Sequence, residues 1–318
     1  MARQSLGPGL DGILVVAKPA GPTSHDIVGL VRRLAATKRV GHGGTLDPFA
    51  AGVLPVFLGH ATRVVEYHLG DRKGYRATVC FGASSSTDDL EGDLTPAEGA
   101  APDRSAVEAA MPELTGTISQ RPPDYSAIKV AGRRAYAMAR AGETVTLAPR
   151  EVTIHALELI EWDDTDPDRP IAVLDVSCSA GTYVRALARD LGEHVGSAAY
   201  LGALTRTASG GFTLEDAVAL DDVRAAAADG PDGLRALLRP IDTGLEAFPV
   251  VTLDAAEVTA VARGQIVRPG AGIHGQGDHF RLVDAEGRLV AIATADAGRL
   301  APDKVFVAPP ARAAEPVG

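Results

Sequence analysis

Apolar and polar positions alternate along this chain in short, irregular blocks. Residues 11–19, from Asp11 to Pro19, are apolar enough for a buried strand that ends in a Lys-Pro turn. Thr23-Ser24-His25-Asp26 offers a helix start, and Ile27, Val28, Leu30, Val31 and Leu34 continue it as a stripe through about Ala36. Phe49 to Gly59 is almost wholly apolar, too short to span a membrane and too apolar for a solvated loop, which predicts a second buried strand. Over 74–82 the alternation puts Tyr75, Ala77, Val79 and Phe81 on one side of a strand. Residues 83–105 are polar, acidic and rich in Pro and Gly, hence loop. Short helices are predicted at 105–112 and 132–141, a strand at 157–162, an Asp/Pro turn at 163–170 and a strand at 171–178. A helix over 182–191 is predicted to close at Gly192.

Strands and helices in this order lack the regular period of a doubly wound sheet, so the class predicted is α+β. Pro240 to Pro249 is the expected boundary between a large domain (residues 1–245) and a small Gly-rich, β-barrel-like module (250–308). Residues 309–318 are expected to be a disordered tail.

With 318 residues, 46% hydrophobic and 23% charged, the chain has the composition of an ordinary globular protein with ample core. No run approaches a membrane span, and the N-terminus has no signal pattern, so a cytoplasmic location is expected. Cys80 and Cys178 have no ligand spacing and read as buried free thiols. The net charge of −10 argues against a nucleic-acid partner, but its distribution does not. Residues 1–80 hold ten Lys/Arg against five Asp/Glu, and residues 121–151 hold six against three. A basic face on an acidic protein can attract phosphate, although such clusters more commonly sit on solvated helix faces.

The densest chemistry lies in His42-Gly43-Gly44-Thr45-Leu46-Asp47-Pro48. Two glycines permit close backbone approach, and Pro48 biases Asp47 toward an extended conformation. The segment reads either as a loop holding one carboxylate in a fixed direction or as a turn with a solvated aspartate. The buried strand that follows favours the first, since it would anchor the loop to the core. No Gly-Lys-Ser/Thr follows, so it is not a phosphate-cradling loop. Thr87 to Asp93 loosely imitates a calcium loop but lacks its spacing and terminal Glu, so no metal is expected.

Five ordered segments together resemble the TruB-type tRNA pseudouridine synthases. They are Lys18-Pro19 with Ser24-His25-Asp26; His42 to Pro48 running on to Gly59; and Lys73-Gly74-Tyr75 with Thr87-Asp88-Asp89 and Glu91-Gly92. They continue with Arg121 to Lys129 followed by Gly132, Tyr136 and Ala139-Arg140, and with Cys178 to Arg185 followed by Asp190 to Glu193. The resemblance spans roughly residues 10–210 and is weaker beyond. It implies a mixed, largely antiparallel sheet flanked by helices, with a PUA-like RNA-binding module at the C-terminus.

It also implies a cofactor-independent, metal-free isomerisation of uridine-55 in the T arm of tRNA, carried out by a monomer. Asp47 matches the family's catalytic aspartate, attacking C1′ or taking the C2′ proton to give a glycal; both routes stay open. Arg185 matches the arginine that pairs with it, expected to make a two-pronged contact favouring the ionised carboxylate. Tyr75 matches the tyrosine that stacks on the target base, with its hydroxyl near C5. His42 matches the histidine filling the gap left by the flipped nucleotide. Lys18 reads as a brace near the site, with phosphate binding the lesser option. Residues 121–150 match a thumb over the T loop, in which Arg133, Arg134 and Arg140 would meet phosphates; the acidic loop would shape the rim.

A guide-RNA-dependent rRNA pseudouridine synthase is the first alternative. The thumb segment and the short C-terminal module count against it. A tRNA-folding chaperone without essential catalysis is the second. A carboxylate-dependent glycosidase would need a second positioned acid, for which only Asp88 and Asp89 are near in sequence.

Overall fold

The computed structural model describes residues 9–126, 129–130, 133–134, 138, 147–269 and 277–308. Its first fourteen strands are β1 (Gly12–Lys18), β2 (Val40–His42), β3 (Ala51–Leu58), β4 (Lys73–Phe81), β5 (Ala83–Ser85), β6 (Leu94–Pro96), β7 (Gly116–Gln120), β8 (Lys129–Val130), β9 (Arg133–Arg134), β10 (Arg150–Asp163), β11 (Ile171–Cys178), β12 (Ala199–Ser209), β13 (Phe212–Thr213) and β14 (Val218–Ala219). Ten of them form one sheet of order β14-β1-β3-β12-β4-β11-β10-β7, with β13 added to β12 and β2 to β3. Its pairings are antiparallel except β1 with β14 and β3 with β12. The fold is therefore α+β with a mixed, largely antiparallel sheet.

Alternation along β1 and β3 divides their side chains between two cores. Leu14 and Val16 of β1, with Leu54, Val56 and Leu58 of β3, face Ile27, Val28 and Val31 of helix Ser24–Leu34. Ile13, Val15, Val53 and Phe57 point the other way and pack with Phe212, Leu245 and Ile292. The Ser24–Leu34 helix starts where the sequence predicts. Thr23 accepts from the Asp26 amide while Asp26 accepts from the Thr23 amide, a capping box that satisfies otherwise orphaned donors. Farther along the sheet, Ala77, Val79 and Phe81 of β4 share a third core with Leu174 and Leu201, and with Leu187 and Leu191 of helix Val184–His194.

The predicted strands at 11–19, 49–59, 74–82 and 171–178 are present as β1, β3, β4 and β11. Several elements differ from expectation. The segment read as loop at 83–105 contains the β5–β6 hairpin. The predicted strand at 157–162 is the end of the 14-residue β10, whose register shifts between Ile154 and Ala156 break the period of two. The helix expected to stop at Gly192 runs through it to His194. Gly192 is there because the chain at Ala198–Ala199 packs against the helix so closely that any Cβ would collide with its backbone. Of the predicted helix at 132–141, Arg133–Arg134 form strand β9 instead, paired with β8, and the rest lies largely outside the described residues, as does the tail at 309–318.

The C-terminal unit has strands β15 (Val250–Thr252), β16 (Phe280–Val283), β17 (Leu289–Asp296) and β18 (Arg299–Val305), in that spatial order. Among the described residues these form an open sheet rather than a barrel, and helix Ala255–Ala262 packs Val261 onto its core. Tyr67 Oη lies 3.0 Å from Asp303 Oδ2 and Lys304 Nζ 3.1 Å from Glu66 Oε1, which ties β18 to the first unit. No described helix is long and apolar enough to cross a membrane.

Candidate active site

One row of residues runs across the sheet and organises the site. Lys18 of β1 is the register partner of Gly52 on β3, Gly52 of Arg206 on β12, Arg206 of Tyr75 on β4, and Tyr75 of Val176 on β11. Register partners present their side chains to the same face. The loop between β2 and β3, residues 43–50, is strapped over this row.

The straps are specific. Lys18 Nζ donates to the carbonyls of Pro19 (3.0 Å), Pro48 (3.2 Å) and Ala50 (2.6 Å). Arg206 donates through Nε to Val53 O (2.7 Å), through Nη1 to Thr45 O (3.3 Å) and through Nη2 to Gly44 O (3.2 Å). From the helix side, Ser24 Oγ accepts from Leu46 N (2.8 Å) and donates to Leu46 O (3.1 Å), clamping the residue before Asp47. A buried carbonyl needs such a partner, so the cationic groups and the loop conformation require each other. Gly52 makes the crossing possible. Its φ of +106° is in the glycine-favoured region, and a Cβ would run into the Arg206 backbone across the parallel β3–β12 pairing.

Asp47 emerges from this braced loop with 35% of its side chain accessible. Arg185, from the first turn of helix Val184–His194 and 6% accessible, places Nε 3.0 Å from Asp47 Oδ2. The N–H is not aligned on the carboxylate, so the contact is an ion pair through one prong. The expected two-pronged contact is absent because the other nitrogens are already engaged. Nη1 donates to Thr87 O (3.1 Å) and lies 3.3 Å from Asp89 Oδ2, and Nη2 donates to Tyr125 O (3.0 Å). Burial pushes the Asp47 carboxyl above its ordinary value; Arg185 opposes the rise, the neighbouring Asp89 carboxylate adds to it and Lys18 opposes it. Asp47 is thus a partly desolvated carboxylate, kept chargeable by fixed cations.

Tyr75 is partly buried against the third core, and burial raises its phenol above the ordinary range despite the adjoining Arg206 cation. His42 is half-buried at the end of β2, paired with Val56. Its Nδ1 accepts from Gly44 N at 3.3 Å. Burial, then Arg206, lowers its pKa, which favours the neutral ring.

Of the two readings of Lys18, brace or phosphate ligand, the lesser one, phosphate binding, is corrected. Lys18 is 1% exposed and directs its ammonium at three backbone carbonyls, so it braces the Asp47 loop and has no donor to offer a phosphate. The acidic loop does not simply form a rim: Asp88 and Asp89 face the arginines of helix Val184–His194. Arg133 is exposed on β9; the Arg134 side chain and the whole of Arg140 lie outside the described residues. Arg206 was not apparent among the sequence motifs. Its signal is an arginine two residues after Leu204, at the inward parity of a strand, obscured by register shifts on both sides.

Comparison with known proteins agrees with this architecture. Residues 32–184 match the N-terminal domain of the TruB family pseudouridylate synthases, residues 185–246 the tRNA pseudouridylate synthase B C-terminal domain, and residues 249–306 the C-terminal region of pseudouridine synthase II TruB. The tRNA pseudouridine synthase B of Bradyrhizobium diazoefficiens is 42% identical over 93% of this chain and 85% of its own. That of Thermobifida fusca is 44% identical over 93% of this chain and 98% of its own. Among solved structures, an H/ACA RNP bound to a substrate RNA containing 2′-deoxyuridine has a TM-score of 0.71 at 26% identity, covering 94% of this chain and 86% of that one. An archaeal box H/ACA sRNP Nop10–Cbf5 complex has a TM-score of 0.70 at 26% identity, covering 95% and 88%. A pseudouridine synthase fold and an aspartate–arginine site thus coincide in one molecule. The chain belongs to the TruB family of pseudouridine synthases.

Proposed function

We propose that this enzyme converts uridine-55 in the T loop of tRNA to pseudouridine, with Asp47 as the catalytic carboxylate. The observation that carries the proposal is Asp47 itself: 35% accessible on a strapped loop and 3.0 Å from a buried guanidinium. Identities of 42% and 44% to tRNA pseudouridine synthases B, against 26% to the H/ACA proteins, support a tRNA substrate over a guide-RNA-dependent rRNA one.

Substrate and product are isomers, so the chemistry needs neither a redox partner nor a group donor. The glycosidic bond from C1′ to N1 breaks, the uracil turns, and a bond from C1′ to C5 forms. The proton on C5 must then leave and N1 must gain one. Ionised Asp47 serves either route to detachment, by attack on C1′ or by removal of the C2′ proton. Arg185 holds the carboxylate in place and favours its charge.

A uridine inside a folded loop must be extruded to reach the carboxylate, at about a few kcal/mol. His42, at the end of β2 where the Asp47 loop begins, would fill the gap, its neutral ring suited to stacking. Tyr75 would stack on the detached base. Its phenol is held neutral by burial, and the Arg206 cation beside it would stabilise negative charge on the hydroxyl as the C5 proton departs.

The direct test is incubation of purified protein with an unmodified tRNA transcript, without cofactor or guide RNA, followed by pseudouridine mapping. Conversion confined to position 55 is expected. Conversion only when a guide RNA is added, or at another position, would overturn the assignment.

A further inference from the structure

Helix Val184–His194 carries a second, partly buried arginine one turn beyond Arg185. Residues four apart share a helix face, so Arg189 extends the same cationic edge. Its side chain is 12% accessible, with Nη1 2.7 Å from Asp88 Oδ2 and Nη2 2.8 Å from Asp190 Oδ1. Nη2 also donates to Arg121 O at 2.8 Å.

The two arginines thus grip the same two segments. Arg185 takes Thr87 O, Asp89 and Tyr125 O, whereas Arg189 takes Asp88 and Arg121 O. Asp88 lies at φ +60°, a left-handed conformation that aspartate tolerates, and this turn lets successive carboxylates face different arginines. Its carbonyl accepts from Leu201 N at 3.0 Å, which pins the turn to β12. The segment from Arg121 to Tyr125, which holds Pro122 and Pro123, leads into residues 127–146 and is clasped at both ends.

We propose that Arg189 is a positioning residue: by fixing Asp88 and the 121–125 segment, it holds Arg185 and Asp89 in register with Asp47. The proposal rests on the assignment of Asp47 as the catalytic carboxylate. Without Arg189, the Asp88 turn and the 121 end of the clasp come loose, and the anchors on Arg185 Nη1 and Nη2 loosen with them. Arg185 is then less able to oppose the burial of Asp47. The charged and titratable groups around Asp47 are Arg185, Asp89, Lys18 and Tyr75, and those around Arg189 are Asp88, Asp190 and Glu193.

The test is single-turnover pseudouridine formation by Arg189→Met, Asp88→Asn and the double variant, across pH, with tRNA binding measured alongside. Expected are a rate constant lower by about tenfold or more, as misplacement of a positioned group produces, and tRNA affinity within about threefold of wild type. The acid limb should move to higher pH, and the double variant should be no worse than the more impaired single one. A loss confined to tRNA affinity, or an unmoved acid limb, overturns the proposal. Asp88→Asn preserves side-chain shape and carries the test alone if Arg189→Met does not fold. Asp47→Asn in the same assay separates the two claims. If it is inactive while the Arg189 and Asp88 variants behave as wild type, only the positioning role fails. If it remains active, the underlying assignment fails.

Discussion

Lys18 and Arg206 flank Gly52 in a single row across three strands, and both send their charge into the loop that carries Asp47. The carboxylate is therefore positioned from beneath by two buried cations that satisfy backbone carbonyls, and from the side by Arg185. A site carried on a loop gains the rigidity of a sheet in this way.

Arg206→Met leaves the carbonyls of Gly44, Thr45 and Val53 without their partner, so a loss of about 3 kcal/mol of stability is expected. Arg206→Lys should rescue little of it. One ammonium cannot serve Val53 O and the 44–45 turn in the fork geometry of a guanidinium. Urea unfolding of the two variants beside wild type checks this; a lysine variant of wild-type stability would contradict it.

Gly52→Ala should cost about 3 kcal/mol or more, combining a φ of +106° with a Cβ driven into the Arg206 backbone. A fall in activity should accompany it, because the β3–β12 seam and the Arg206 straps shift together. Unfolding midpoints and turnover are the measurements.

Lys18 links stability to pH in a calculable direction. Burial lowers its pKa from 10.5 to about 8, so between those values the unfolded chain holds a proton that the folded chain has shed. Stability from this group therefore rises with pH across that window. Lys18→Met should be destabilised, by about 2 kcal/mol from the abandoned carbonyls. Its deficit relative to wild type should widen as pH rises above about 8. A deficit that narrows there would refute the account of Lys18 as a buried ammonium.

Arg185→Met removes the foremost influence holding the Asp47 carboxyl down against burial. The acid limb of the rate should move to higher pH, and the rate on its plateau should fall by about a hundredfold or more. Near-normal turnover would remove Arg185 from the mechanism.

Arg133, exposed on β9, tests the phosphate role proposed for the thumb segment. Replacement by Ala should reduce the slope of log affinity against log salt by roughly 0.7 if it meets one phosphate of a single strand. An unchanged slope would remove it from the interface.

Asp47 and Arg185 were both legible in the sequence because each sits in a compact motif, although 138 positions separate them. Strands β1, β3, β4 and β11 were legible because apolar content or alternation runs unbroken through them. Strand β12 was not, because register shifts at Leu201–Ala203 and Arg206–Ala208 scramble its alternation, and Arg206 was lost with it. Gly192 misled for a related reason. The residue that commonly ends a helix is also the one that admits a neighbouring chain, and here the second use prevails. The cross-sheet row from Lys18 to Tyr75 could not be seen at all, since it depends on pairing between strands distant in sequence.

The central claim is that the Asp47 carboxylate performs the chemistry. Asp47→Asn keeps the shape of the side chain and its loop but removes the charge. Single-turnover mapping of pseudouridine on a tRNA transcript bound by this variant should show intact binding and no product at position 55. Product formed at a rate comparable to wild type would contradict the account.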